Sequence, residues 1–135
     1  MVGKEGYVLD KMSKIYIAGH TGQIGYGLLK RLQADAYKNV IVRSHKELDL
    51  LNQESVRCFF ENERPEYVFY CAGSLGDVGY LENNRAAVVY NNLIMQANVI
   101  YFSIANNVKK LLYVGSGSVY GRHASSPFEE TSDID

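Results

Sequence analysis

Apolar and polar positions along this chain switch between two periods, and the switching itself lays out a fold. "KIYIA" at 14–18 is a short β-branched and aromatic run that stops at Gly19, so it reads as a strand. From 23 to 34 the apolar residues Ile24, Leu28, Leu29 and Leu32 recur at helical spacing. Residues 39–42 predict a second strand, and 47–51 a short third. Residues 55–63 then place Val56, Phe59 and Phe60 on one helical face, until Pro65 closes the helix and "EYVFYCAG" opens a fourth strand. A long helix is expected over 84–106, with an apolar stripe of Val88, Leu93, Met95, Ile100 and Ile104. Residues 110–114 form the fifth strand and lead into "GSGSVYG".

Strands that alternate with helices and are apolar on both faces predict an α/β architecture, a doubly wound parallel sheet of the Rossmann type. The domain spans 14–121, preceded by an N-terminal extension over 1–13 and followed by a polar loop or tail over 122–135. In such sheets ligands bind beyond the carboxyl ends of the strands, where strand order reverses. Gly19, Ala72 and Ser116 each follow a strand at that edge.

Gly19, Gly22 and Gly25 fall at GxxGxxG spacing between the first strand and the first helix. That context favours a dinucleotide cradle over a plain turn, which needs one glycine rather than three. Gly19 permits the sharp turn, Gly22 lets a pyrophosphate approach the backbone, and Gly25 lets helix and strand pack closely. The unpaired N–H groups of the helix start then offer partial positive charge to the phosphates.

Composition narrows the function classes. A chain of 135 residues, 47% apolar and with a net charge of -1, suits one soluble domain. No basic excess points to nucleic acid, and no run approaches the roughly 20 apolar residues of a membrane span. Residues 1–11 lack an apolar secretory core, and Met12 is a candidate natural start. Cys58 and Cys71 read as buried free thiols, which suits a cytoplasmic location. The three histidines are scattered, so no metal site is expected.

The segments "IYIAGHTGQIG", "KELDLLN", "EYVFYCAG", "YNNLIMQANVI" and "VKKLLYVGS" together resemble the extended short-chain dehydrogenase/reductases, the NAD-dependent epimerase/dehydratase family. Within it they are most similar to the GDP-L-fucose synthase-like members, over residues 15–120. The resemblance implies a cofactor loop of Gly19, His20, Thr21, Gly22, Gln23, Ile24 and Gly25, with Asp49 and Leu50 lining the adenine pocket. It implies Ala72 and Gly73 beneath the nicotinamide, Val114 and Gly115 beside its ribose, and Ser116 as the catalytic serine. Asn92 would fix an active-site water or a backbone segment, or else be an ordinary polar helix residue.

The cofactor implied is NADP, with NAD as the alternative. An acid at the end of the second strand marks NAD-selective sites. Here Arg43, Ser44, His45 and Lys46 stand at that place, and no acid comes before Glu47. The arginines customary in the family at two phosphate-facing positions are replaced by Thr21 and His45, which leaves Arg43 or Lys46 to serve.

Two departures matter for chemistry. The family reduces a 4-keto sugar with a tyrosine as proton donor, assisted by a lysine four residues on, and no such pair follows the serine segment here. Tyr120 belongs to the serine segment itself, and Ala124 stands four residues after it. The epimerising cysteine of the family, two residues after the serine, is replaced by Ser118, a substrate-side residue. The chain therefore reads as the cofactor-binding half of a nucleotide-sugar 4-keto reductase, truncated before its substrate domain and inactive alone. A nucleotide-binding module without chemistry and a fragment of another sugar epimerase or dehydratase are the alternatives. The uncovered apolar face of such a half makes self-association an expectation.

Overall fold

Four runs rich in β-branched and aromatic residues form the strands β1 (Lys14–Ala18), β2 (Asn39–Val42), β3 (Tyr67–Tyr70) and β4 (Lys110–Tyr113). All pair in parallel, in the order β2-β1-β3-β4. The helices are α1 (Gln23–Ala34), α2 (Gln53–Glu63) and α3 (Val78–Ala105), the last interrupted at Asn84. This computed structural model describes residues 9–74, 78–121 and 127–131, without the side chains of 78–82 and Ser118. Residues 1–8 of the expected extension, and 122–126 (Ala124 among them) and 132–135 of the expected tail, lie outside the described residues.

Side chains alternate across the strands and so build two cores. On one face Tyr16, Ala18, Val68 and Tyr70 meet Val56, Phe59 and Phe60 of α2 and Val99 and Phe102 of α3. On the other, Ile15, Ile17 and Tyr67 meet Leu32 of α1, with Leu28, Leu29, Val40 and Val42 packed around them. Strand order reverses between β1 and β3, because β2 adds to one side of β1 and β3 to the other. Among the described helices, none is long and apolar enough to cross a membrane.

Three expectations fail, wholly or in part, for identifiable reasons. Residues 47–51 form turns rather than a third strand. Ser44 and Glu47 close a turn: the N–H groups of Glu47 and Leu48 donate to Ser44 O at 3.0 and 2.9 Å. The Glu47 carboxylate accepts from Ser44 N at 2.7 Å. Local closure wins, and Leu48 and Leu50 are buried in the α2–α3 core instead. The stripe of α3 holds only in part: Val88 is buried and Met95 packs on the core, but Leu93, Ile100 and Ile104 are 58%, 39% and 74% exposed, while Val99 and Phe102 face the sheet. From Ala86 to Val108 no side chain is charged, so periodicity alone cannot say which face turns inward. Cys58 and Cys71 are free and half-buried rather than buried, because Cys58 lies on the flank of α2 and Cys71 just beyond the end of β3.

Glu66 ties the amino ends of three strands. One carboxylate oxygen accepts the Lys14 N–H at 3.1 Å and the other pairs with Lys109. The Lys109 hydrogen bond, then the Lys14 N–H, hold the carboxyl below its ordinary value. A depressed folded-state pKa contributes stability above the unfolded-state pKa, and that contribution is lost as pH falls through the folded-state value. Solvent screening keeps the contribution small. Glu66→Gln is expected to lower the melting temperature by roughly 2–4 °C at pH 7. The gap between the two proteins should close on acidification below about pH 4, measured by circular dichroism melts.

Candidate functional site

At the end of β1 the chain turns at Gly19, whose φ is +83°. A Cβ there would lie 2.6 Å from both N and Cα of Ala72, so the turn presses directly on the backbone that leaves β3. Gly25, in the first turn of α1, is closer still: its Cβ would meet Gly19 O at 2.2 Å. Its tight contact is thus with the turn at the strand's end, not the strand itself. Gly22 is different. It is the N-cap of α1 in extended conformation, and the nearest atom to a Cβ is Gly19 O at 3.5 Å. No side chain caps α1, and its first turn holds no acid. The positive end of the helix is therefore left for an external anion.

Two clefts open from this point. The first, about 450 Å³, lies between the glycine turn and the loop after β2. Gly19, His20, Thr21, Gly22, Arg43 and Leu50 border it, together with Ala72 and Gly73. The second is an open groove of about 1130 Å³ bordered by Gln23, Ile24, Val114, Gly115 and Ser116. Gly22, Cys71, Ala72 and Gly73 line both, so the two run together over the helix start. Asp49 and Gly25 border neither. Asp49 accepts the Leu51 N–H at 3.0 Å, with His45 Nδ1 at 3.7 Å, and so shapes the loop from behind. The backbone of Ser118 sits in a short 3-10 turn, Gly117–Val119.

Sequence reasoning missed the apolar wall of the first cleft, which Tyr16, Leu48, Leu51 and Met95 supply. These residues come from three distant segments, and no local pattern groups them. It also missed Asn98, buried on α3, whose Nδ2 donates to Leu50 O at 2.8 Å and anchors the cleft loop. Asn92 fixes backbone: Oδ1 accepts the Ser74 N–H at 2.7 Å, and Nδ2 donates to Ser74 O and Val88 O at 2.9 Å each. In the groove, Tyr113 stacks on Tyr70, and Tyr120 on Phe128. Burial, with Tyr113 adding to it, pushes the Tyr70 hydroxyl up to about 12. The Tyr-x-x-x-Lys spacing occurs at Tyr26 and Lys30 of α1, where Tyr26 is exposed and borders neither cleft.

The lip of the first cleft is cationic but engaged. Arg43 donates to Glu63 Oε1 at 2.5 Å and to Val42 O at 2.9 Å, while Glu63 Oε2 also holds Lys14 at 2.9 Å. His20 Nδ1 is buried with no hydrogen-bond partner. An uncapped helix start, an orphaned ring nitrogen, an apolar wall and a lip arginine fit a dinucleotide: diphosphate at the turn, adenine on the apolar wall.

A profile of the NAD dependent epimerase/dehydratase family matches residues 15–135. The chain belongs to that family. GDP-L-fucose synthase 1 of Arabidopsis thaliana is 37% identical over 123 residues, 91% of this chain and 38% of that protein. The GDP-L-fucose synthase of Escherichia coli K12 is 32% identical over 120 residues, 87% of this chain and 37% of its own length. Among solved structures, the GDP-mannoheptose C4 reductase from Campylobacter jejuni with NADP bound is 40% identical with a TM-score of 0.85. That match covers 95% of this chain and 42% of the reductase. This chain thus spans well under half the length of the relatives it matches.

The glycine geometry separates folding from binding. Gly25→Ala drives a methyl group into backbone and is expected to cost more than about 3 kcal/mol in urea unfolding. Gly22→Ala should stay within about 1 kcal/mol of the parent, since its Cβ meets only an ordinary contact.

Proposed function

We propose that this chain is the cofactor-binding half of an NADP-dependent nucleotide-sugar 4-keto reductase. The observation that carries the reading is the meeting of two clefts over the uncapped start of α1, where strand order reverses. The identities of the relatives, GDP-sugar synthases and a C4 reductase, support the substrate class. Residues 14–121 form the dinucleotide domain in this reading.

The diphosphate takes the N–H groups of Gln23 and Ile24; the Gly22 N–H closes the turn on Gly19 O at 3.1 Å, Gly25 packs beneath it, and His20 and Thr21 complete the turn. Leu50 packs on the adenine, and Asp49 holds the loop that presents it. Ala72 and Gly73 lie beneath the nicotinamide, and Val114 and Gly115 beside its ribose. Arg43, already oriented by Glu63, faces the 2′-phosphate. Bound NADPH supplies the hydride for carbonyl reduction. Ser116 donates a hydrogen bond to the substrate oxygen, which polarises the carbonyl.

Ser118 stands where the family carries its epimerising thiol. An alcohol without a strong base exchanges a carbon-bound proton poorly, so the protein reduces without epimerising. Ser116 alone is too weak an acid to deliver the proton at neutral pH, and these 135 residues by themselves bind cofactor without turning over. The free thiols fit a reducing cytoplasm, and the exposed apolar side of α3 fits self-association.

Calorimetry should find NADP+ bound more tightly than NAD+ by about 1–3 kcal/mol, a gap that Arg43→Ala narrows. Gly22→Val should lose both ligands while remaining folded, and undiminished binding by that variant would overturn the assignment. The purified chain should oxidise no NADPH in the presence of a GDP-4-keto-sugar. Turnover that disappears on Ser116→Ala would contradict the inactivity of these residues alone.

A further inference from the structure

Ser44 stands on the wall of the first cleft, next to Arg43, and both of its donors are taken. Its backbone N–H and its hydroxyl reach the same carboxylate oxygen, Glu47 Oε2, each at 2.7 Å. Two donors converging on one oxygen at that distance form a charge-assisted anion site. The Ser44 hydroxyl and then its N–H hold the Glu47 carboxyl below its ordinary value, and the charge of Arg43 adds to this. The free protein therefore carries an anion of its own at the cationic lip of the cleft.

The turn does not need that carboxylate to persist. The Glu47 and Leu48 N–H groups close it on Ser44 O, Leu48 and Leu50 are buried, and Asn98 holds Leu50 O. Glu47 itself is exposed, so its side chain can swing into water without stranding a buried charge. Glu63 behaves differently: it is shared between Lys14 and Arg43 and stays with them as the support that aims the guanidinium.

We propose that Glu47 is an intramolecular competitor for the 2′-phosphate of the cofactor, holding the Ser44 donors until a phosphate displaces it. The inference rests on the dinucleotide reading of the cleft. In the free protein Glu47 satisfies Ser44; in the complex the phosphate accepts from Ser44 N, Ser44 Oγ and Arg43, and the carboxylate moves to solvent. NADP binds against this competitor, whereas NAD, which lacks the phosphate, leaves it in place. Cofactor preference is thereby set below what Arg43 and Ser44 would give unopposed.

Calorimetric titration of the purified protein and its Glu47→Gln variant tests this, with NADP+, NAD+, adenosine 2′,5′-bisphosphate and AMP as probes. Glutamine keeps an acceptor for Ser44 and removes only the charge. NADP+ and the bisphosphate should tighten about tenfold in the variant, with the gain shrinking at high salt. NAD+ and AMP should change less than about twofold, which also reports that the variant is folded. An unchanged ratio of NADP+ to NAD+ affinity in Glu47→Gln, with NADP+ bound well by both proteins, would overturn the role of Glu47 alone. Failure of the parent protein to bind either dinucleotide would overturn the reading of the cleft and this inference with it.

Discussion

The fold turns on a backbone crossing that leaves no room for a side chain. Gly19 passes so close to Ala72 that a Cβ would sit 2.6 Å from two backbone atoms, and Gly25 is packed on Gly19 more tightly still. This stack of turn on loop and helix on turn fixes three things together. It brings the carboxyl ends of β1 and β3 side by side, aims the start of α1 at their junction, and leaves a surface of bare backbone there. A sheet whose strand order reverses at that junction cannot cover it, and the two clefts meet over it. Shape and charge at the site follow from a steric constraint on two residues.

Around that crossing the chain arranges unequal ends. The loop after β2 contributes apolar residues from below and cations at its lip, so one side of the first cleft suits a flat ring and the other an anion. The two carboxylates there are bound differently: Glu63 holds Arg43 in position, while Glu47 occupies both donors of Ser44. The second groove runs along the Val114–Ser116 segment after β4. Asn92 and Asn98, both on α3, hold the loops on the two sides of the junction through backbone hydrogen bonds. These two amides face inward on α3 because each satisfies a backbone group that would otherwise lie unpaired.

Much of this was legible in the residues, and the remainder divides by physical cause. β-branched and aromatic runs located β1 to β4, and glycine spacing between a strand and a helix located the crossing. The alternation in "KELDLL" reads as a strand, which the turn hydrogen bonds between Ser44, Glu47 and Leu48 prevent. The inward face of α3 was legible only in part: Val88 and Met95 turn inward as the stripe has them, but an uncharged helix offers little contrast between its sides and the rest of the stripe lies outward. Arg43 was found from its position after β2, but its engagement by Glu63, twenty residues on, belongs to tertiary packing. The apolar wall of the first cleft escaped for the same reason, since its members meet only once the sheet has formed.

Amide hydrogen exchange with and without saturating NADP+ tests the central claim, that a dinucleotide lies across the glycine crossing. Binding should slow exchange at residues 19–25, 43–51 and 72–74, three segments distant in sequence, and leave α2 unchanged. Slowing confined to β4 and the residues after it, or no slowing at 19–25 under saturation, would contradict it.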